Sequence, residues 1–151
     1  MYKKGIAFGV FDIFHIGHLR YLEYAASHCQ ELYVGVRGDD LATPGKNREC
    51  YFSEDIRAEL LSGLKCVSKS FVFHTLLDDT NYWSNYCKNN NIDVVFAGVE
   101  WKDSLRWNNL EESLLKHNID VKYIDRTDGI SSTMILNTET NPEVRLQSYP
   151  K

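Results

Sequence analysis

The 151 residues predict an α/β protein, a Rossmann-like five-stranded parallel sheet with helices on both faces. Three observations predict it. Short apolar runs alternate with stretches of helical period, as repeated βα units do. Helical connections between successive strands imply parallel pairing with right-handed crossovers. Polar, chemically able residues gather straight after the apolar runs, at 12–18, 39–48, 98–101 and 126–133. Open parallel sheets bind their ligands at that end of the strands.

Gly5 to Val10 reads as the first strand. A helix from His18 to about Ser27 follows, with Leu19, Leu22 and Ala26 sharing a face and Cys29 continuing the stripe. Leu32 to Val36 is the second strand. Residues 37–51 are polar, hold Gly38, Pro44 and Gly45, and read as a loop. Ser53 is placed to cap a second helix, with Glu54 and Asp55 suiting its dipole and Ile56, Leu60 and Leu64 on one face. Ser70 to Phe73 is strand three, and a short helix covers Asn81 to Asn90. Ile92 to Ala97 is strand four, Leu105 to His117 a helix, and Val121 to Ile124 strand five. Ser131 would cap a last short helix, SSTMIL. The expected organisation is one domain over 1–137 and a C-terminal extension over 138–151.

Apolar residues make up 43% and charged ones 25%, which fits a globular chain and neither a disordered nor a fibrous one. The net charge of -4 gives no basic excess, so no nucleic-acid partner is expected. Cys29, Cys50, Cys66 and Cys87 show no CxxC spacing and read as reduced thiols, mostly buried in helices. No secretory signal and no membrane-spanning run is visible, so a cytoplasmic protein is expected.

Two segments carry chemistry. His15-Ile16-Gly17-His18 lies between the first strand and its helix. A helix N-terminus offers unpaired N–H groups and partial positive charge, so anions bind there. Gly17 clears the approach for a phosphate, and two imidazoles add donors at the same place. Taken alone, such a pair is as well explained as a structural one. Its place in the first βα unit favours a phosphate site. The second segment, Arg126-Thr127-Asp128-Gly129-Ile130-Ser131-Ser132-Thr133, also joins a strand to a helix. Arg126 can fork onto phosphate oxygens, and the hydroxyls gather at the helix start. A capped short helix with a surface arginine would explain that segment too. A dinucleotide-binding domain would need GxGxxG after strand one, where this chain has GVFDIF.

The run GVFDIFHIGH, with RTDGISST at matching strand ends, resembles the cytidylyltransferase-like nucleotidyltransferases over residues 3–136. The similarity is to glycerol-3-phosphate and choline- or ethanolamine-phosphate cytidylyltransferases. It implies the HIGH nucleotidyltransferase fold, with CTP and a small phosphate monoester giving a CDP-linked product and pyrophosphate. It also implies Mg²⁺ carried with CTP rather than on dedicated protein ligands, a homodimer, and a role in a bacterial surface-polymer or capsule pathway. The acceptor stays open among glycerol phosphate, phosphocholine or phosphoethanolamine, and a phosphorylated amino acid. Related adenylyltransferases often place an arginine shortly after the threonine, where this chain has Met134-Ile135-Leu136, which favours CTP over ATP. An ATP-using adenylyltransferase and a non-catalytic nucleotide-binding module are the alternatives.

Carried over position by position, the resemblance makes His15, His18, Lys46 and Arg126 catalytic. It places Val10, Phe11, Gly17, Arg48, Gly98, Glu100, Arg126, Thr127, Gly129, Ile130, Ser131 and Thr133 at the nucleotide. Asp12, Asp39, Lys46 and Trp83 fall to the phosphorylated substrate. Arg57 fits a helix arginine of the family or an ion-pair partner. Three departures stand out. Gly98-Val99-Glu100-Trp101 replaces a Gly-Asp-Asp-Trp pattern. Tyr86 stands where glycerol-phosphate members tend to carry a lysine after the tryptophan. Arg37 stands where small polar residues are common.

Overall fold

The computed structural model describes residues 1–41 and 50–125. Lys46 and Arg48, the segment from Arg126 through Thr133 and the 138–151 extension lie outside the described residues.

Five strands form one sheet in the order β3-β2-β1-β4-β5, and every pairing is parallel. They are β1 (Tyr2–Gly9), β2 (Cys29–Arg37), β3 (Lys69–Phe73), β4 (Val94–Gly98) and β5 (Asp120–Ile124). The helices are α1 (Ile16–Ser27), α2 (Glu54–Ser62), α3 (Thr80–Asn89) and α4 (Leu105–Leu115). A 3-10 turn, Val99–Trp101, follows β4. The chain runs outward from β1 through β2 to β3, then returns to pair β4 on the other side of β1. That reversal puts the topological switch point beside the carboxyl end of β1, where a crevice opens.

Two cores sandwich the sheet. Leu22 and Ala25 of α1 and Leu61 of α2 pack with Val34, Val36 and Phe96 on one face. Trp83 and Cys87 of α3 and Trp107, Leu110 and Leu114 of α4 pack with Ile6, Phe73 and Val95 on the other. Each such buried large side chain contributes roughly 1.5–3 kcal/mol from apolar burial.

The expected strands and helices from β1 to β5 are present, with shifted ends, and the expected SSTMIL helix lies outside the described residues. Helix α1 starts two residues earlier than predicted because His15, not Gly17, is the cap. The α2 stripe is corrected: Ile56 and Leu60 are exposed, while Arg57 and Leu61 are buried. Periodicity assigned the apolar residues inward, but the buried arginine finds polar partners that pull the helix round by about one position. The cysteines are free, and only Cys87 lies in a helix. No helix among the described residues is long and apolar enough to cross a membrane.

Candidate active site

Between β1 and α1 the chain turns sharply, and Phe11 and Ile13 both adopt positive φ, 54° and 49°. Bulky and β-branched residues pay for such a backbone in strain, which is concentrated at functional sites. Phe11 folds back over Gly9. A Cβ at Gly9 would sit 2.7 Å from the Phe11 ring, so only glycine allows this closure. The Phe11 ring is buried and meets His18 edge-on at 5.6 Å, while Phe14 lies 5.4 Å from the same imidazole.

The cap of α1 is built from the two histidines. The Gly17 N–H donates to His15 Nδ1 at 3.1 Å, and the His15 N–H donates to His18 Nδ1 at 3.2 Å. This is a capping box with imidazoles in place of serine and glutamate. Because each Nδ1 accepts a backbone N–H, a neutral ring carries its proton on Nε2. The network therefore assigns both rings the same tautomer, with Nε2 as donor. The rings stack at 3.8 Å, which disfavours charging both together. No acidic residue lies in the first turn of α1, so the positive end of the helix is not neutralised from within. The arrangement can hold phosphate oxygens and stabilise negative charge developing on them.

Beside this cap, the buried Arg57 ties two strand ends and the approach to α2 together. Its Nη1 donates to the carbonyls of Val10 at 2.9 Å and Arg37 at 2.8 Å. Its Nε donates to the Phe52 carbonyl at 3.0 Å, and its Nη2 pairs with Asp39. Asp39 also accepts the Glu54 N–H at 3.0 Å, while the Asp39 N–H donates to Glu54 at 2.9 Å. The carboxyl ends of β1 and β2 and the N-terminus of α2 thus form one braced rim.

A family model described as cytidylyltransferase-like matches residues 6–138. The chain belongs to the cytidylyltransferase-like family. It is similar to a glycerol-3-phosphate cytidylyltransferase of Bacillus spizizenii, with 30% identity over 88% of this chain and 94% of that one. It is also similar to an FAD synthase of Thermococcus onnurineus, at 31% identity over 87% of each chain. Among solved structures, a lipopolysaccharide core biosynthesis protein from Thermoplasma volcanium superposes with a TM-score of 0.65 at 28% identity, covering 85% of this chain and 98% of that one.

Within the fold of this family, the structure brings His15, Gly17 and His18 together at one helix start. Val10 joins them through its carbonyl, held by Arg57. Phe11 supports His18 rather than presenting an open face. Gly98 and Glu100 are adjacent at the end of β4. The Glu100 carboxylate folds over the Gly98 Cα, where any Cβ would collide with it. The half-buried Tyr21 of α1 has its hydroxyl enclosed within electrostatic reach of Glu100, and burial followed by Glu100 raises the phenol well above its usual range.

Two residues assigned to the substrate are buried and hold structural contacts. Asp12 is 2% exposed, and its two oxygens accept the N–H groups of Tyr51 (2.7 Å) and Phe52 (3.0 Å). It anchors the approach to α2. Trp83 is 1% exposed, packed against Phe8 and Phe73, with its indole N–H donating to the carbonyls of Thr75 and Leu76. Its apolar area outweighs anything it could offer at a surface. Asp39 keeps an exposed edge but serves the Arg57 brace. Arg57 settles as a structural pairing residue at the rim.

Sequence reasoning gave His74 no role. It sits after β3, with Nδ1 2.8 Å from Asp40 and Nε2 3.7 Å from Glu54. The Asp40 hydrogen bond raises the imidazole pKa and lowers that of the carboxyl. Ligand atoms of Asp40, Glu54 and His74 lie within 4.8 Å of one another, the one such three-residue set among the described residues. It includes neither histidine of the α1 cap. The signal was absent because the three residues are far apart in sequence.

Proposed function

We propose that the chain transfers a cytidylyl group from CTP to a small phosphate monoester. An oxygen of the monoester phosphate attacks the α-phosphorus of CTP. A new P–O–P bond forms, the bond from the α-phosphorus to the β-bridging oxygen breaks, and pyrophosphate leaves with that electron pair. The observation that carries this reading is the doubly histidine-capped start of α1. It supplies two Nε2 donors and a positive helix end without an internal counter-charge. These groups suit the charge that grows on departing pyrophosphate. The bond made and broken needs no protein nucleophile, so positioning and charge are what the site must supply.

Mg²⁺ suits this chemistry by neutralising triphosphate charge when bound. Asp12 engages two backbone N–H groups, and no three-ligand set adjoins the histidines among the described residues. The ion is therefore proposed to arrive on the nucleotide. Lys46, Arg48 and Arg126 are proposed to complete the grip on the phosphates, with Thr127, Gly129, Ile130, Ser131 and Thr133 at the second helix start. A homodimer and a role in a surface-polymer or capsule pathway remain part of the proposal. The glycerol-3-phosphate cytidylyltransferase relative supports the CTP reading. The FAD synthase relative supports a second one, adenylyl transfer from ATP to a phosphate monoester.

Pyrophosphate release with Mg²⁺, CTP or ATP, and a panel of phosphate monoesters tests both. Release with CTP and one monoester supports cytidylyl transfer. Release only with ATP replaces it with adenylyl transfer. CTP binding without release from any pair would leave a nucleotide-binding module.

A further inference from the structure

Strand β3 is an edge strand, so its carboxyl end lies two strands away from β1 and the α1 cap. Three side chains with metal-ligating atoms meet there. His74 directly follows β3, Asp40 lies in the turn after β2, and Glu54 is the first residue of α2. Each is placed by contacts of its own. His74 Nδ1 and Asp40 Oδ1 pair at 2.8 Å directly over Gly38. A Cβ at Gly38 would lie 2.5 Å from that oxygen and 2.6 Å from that nitrogen, so a larger residue would push against the pair. The Gly38 N–H donates to the Phe73 carbonyl at 2.8 Å, which ties the turn to the strand that delivers His74. Glu54 is held from the other side. Its Oε1 accepts the Asp39 N–H at 2.9 Å, and its own N–H donates to Asp39 Oδ2 at 3.0 Å. Its Oε2 then faces His74 Nε2 at 3.7 Å.

The ring's two nitrogens therefore have different work. In the neutral ring Nδ1–H donates to the Asp40 carboxylate, and the Nε2 lone pair is directed toward Glu54. A carboxylate on the far nitrogen fixes tautomer and ring angle in metal-binding histidines, and it raises the basicity of the ligating nitrogen. Two bonds of about 2.0–2.2 Å to a shared ion span the 3.7 Å gap. His74 and Asp40 are exposed, so an ion has an open approach and water can fill its remaining positions. One imidazole with one carboxylate suits Zn²⁺, whereas Mg²⁺ prefers an all-oxygen shell.

We propose that His74 Nε2 and Glu54 Oε2 bind a divalent transition-metal ion of the Zn²⁺ class, with Asp40 orienting the imidazole and water completing the shell. The ion takes the place that a proton holds on the charged ring, and that proton passes to solvent. The site shares no residue with the α1 cap. It links the end of β3 to Glu54 and, through Asp39, to the Arg57 brace.

Zinc chloride, titrated calorimetrically into the chelator-stripped full chain with excess Mg²⁺ present, tests this. A saturable Zn²⁺ site that Mg²⁺ does not displace is expected. His74→Ala and Glu54→Gln should each weaken it tenfold or more. Asp40→Asn should weaken it roughly tenfold, the usual cost of losing a group that orients a ligand. Zn²⁺ should also raise the melting temperature of wild type by more than that of His74→Ala. Asp40 and His74 reach solvent, and Glu54→Gln keeps an oxygen for the Asp39 N–H, so the variants should fold. Zinc affinity within twofold of wild type in either His74→Ala or Glu54→Gln overturns the inference. Zinc held at the α1 cap instead would give that result, because it would survive both substitutions. Absence of any saturable zinc site overturns it as well.

Discussion

Helices α1 and α2 both start at the carboxyl edge of the sheet, yet their N-termini are prepared for different work. The start of α1 is capped by His15 and His18 and has no acidic residue in its first turn. The start of α2 is capped by Ser53 and carries Glu54 and Asp55 in its first turn. Both present backbone donors and a positive dipole end. At α2 that charge is answered by the chain itself, and the donors are spent on Ser53 and Asp39. At α1 the first turn holds no carboxylate to answer it. An N-terminus becomes an anion site only when the sequence withholds its own carboxylates.

The largest test of this contrast is His18→Ala. It removes one of the two Nε2 donors and half of the capping box. Turnover should fall by roughly 10² or more, the loss seen when one charge-stabilising donor is deleted. Steady-state kcat with the best nucleotide and monoester pair is the measurement. A kcat within twofold of wild type would make the α1 cap structural and erase its difference from α2.

Arg57→Ala acts on the rim that both helices share. Its side chain is 1% exposed and bonds to Val10, Arg37, Phe52 and Asp39. Truncation leaves buried carbonyls without a donor, so folding stability should drop by about 3 kcal/mol. Urea unfolding checks the figure. A loss under about 1 kcal/mol would show that solvent replaces the arginine and that the rim is not braced by it.

How much of this was legible in the sequence differs between the two helices for the same reason. The HIGH run is legible through its context, a strand-helix junction in the first βα unit with a second motif at a matching strand end, rather than through the two histidines alone. Its detailed geometry was not legible. Nothing in the letters says that Nδ1 of each ring is consumed by the backbone, which is what turns both Nε2 atoms into donors. Around α2, reading apolar as inward put Ile56 and Leu60 in the core and left Arg57 undecided. Periodicity cannot see a buried arginine whose partners come from 47, 20, 18 and 5 residues away. The structural partners of Asp12 and Trp83 were equally invisible in the letters, since they come from backbone groups elsewhere in the chain. The five strands were recoverable because parallel, doubly covered strands are nearly continuous apolar runs. Their order, with β4 crossing back beside β1, depends on which helix covers which face.

Ser53→Ala tests the α2 start by itself. The Ser53 hydroxyl accepts the Ile56 N–H at 3.4 Å, a long cap bond. The loss should be about 0.5–1 kcal/mol in stability, with turnover unchanged within twofold. A fall in kcat above tenfold, with stability intact, would mean that α2 also handles substrate and that the two N-termini are not divided in function.

The smallest effect concerns the charges that α2 keeps for itself. His74 is raised above 6.5 chiefly by its hydrogen bond to Asp40, and Glu54 adds attraction. A raised imidazole stabilises the fold below 6.5, and that contribution disappears as the pH climbs through the folded-state value. Asp40 is lowered below 3.8 by the same bond, so its contribution is present above 3.8 and vanishes as the pH falls through the depressed value. Together they define a window from about pH 4 to somewhat above 6.5 in which wild type should melt slightly higher than His74→Ala. The groups are exposed, so 0.5 M salt should shrink the gap. Melting temperatures of both proteins at pH 5.5 and 8.5 decide it. A gap that is the same at both pH values would assign His74 a packing role, and the α2 rim would then owe nothing to charge at that corner.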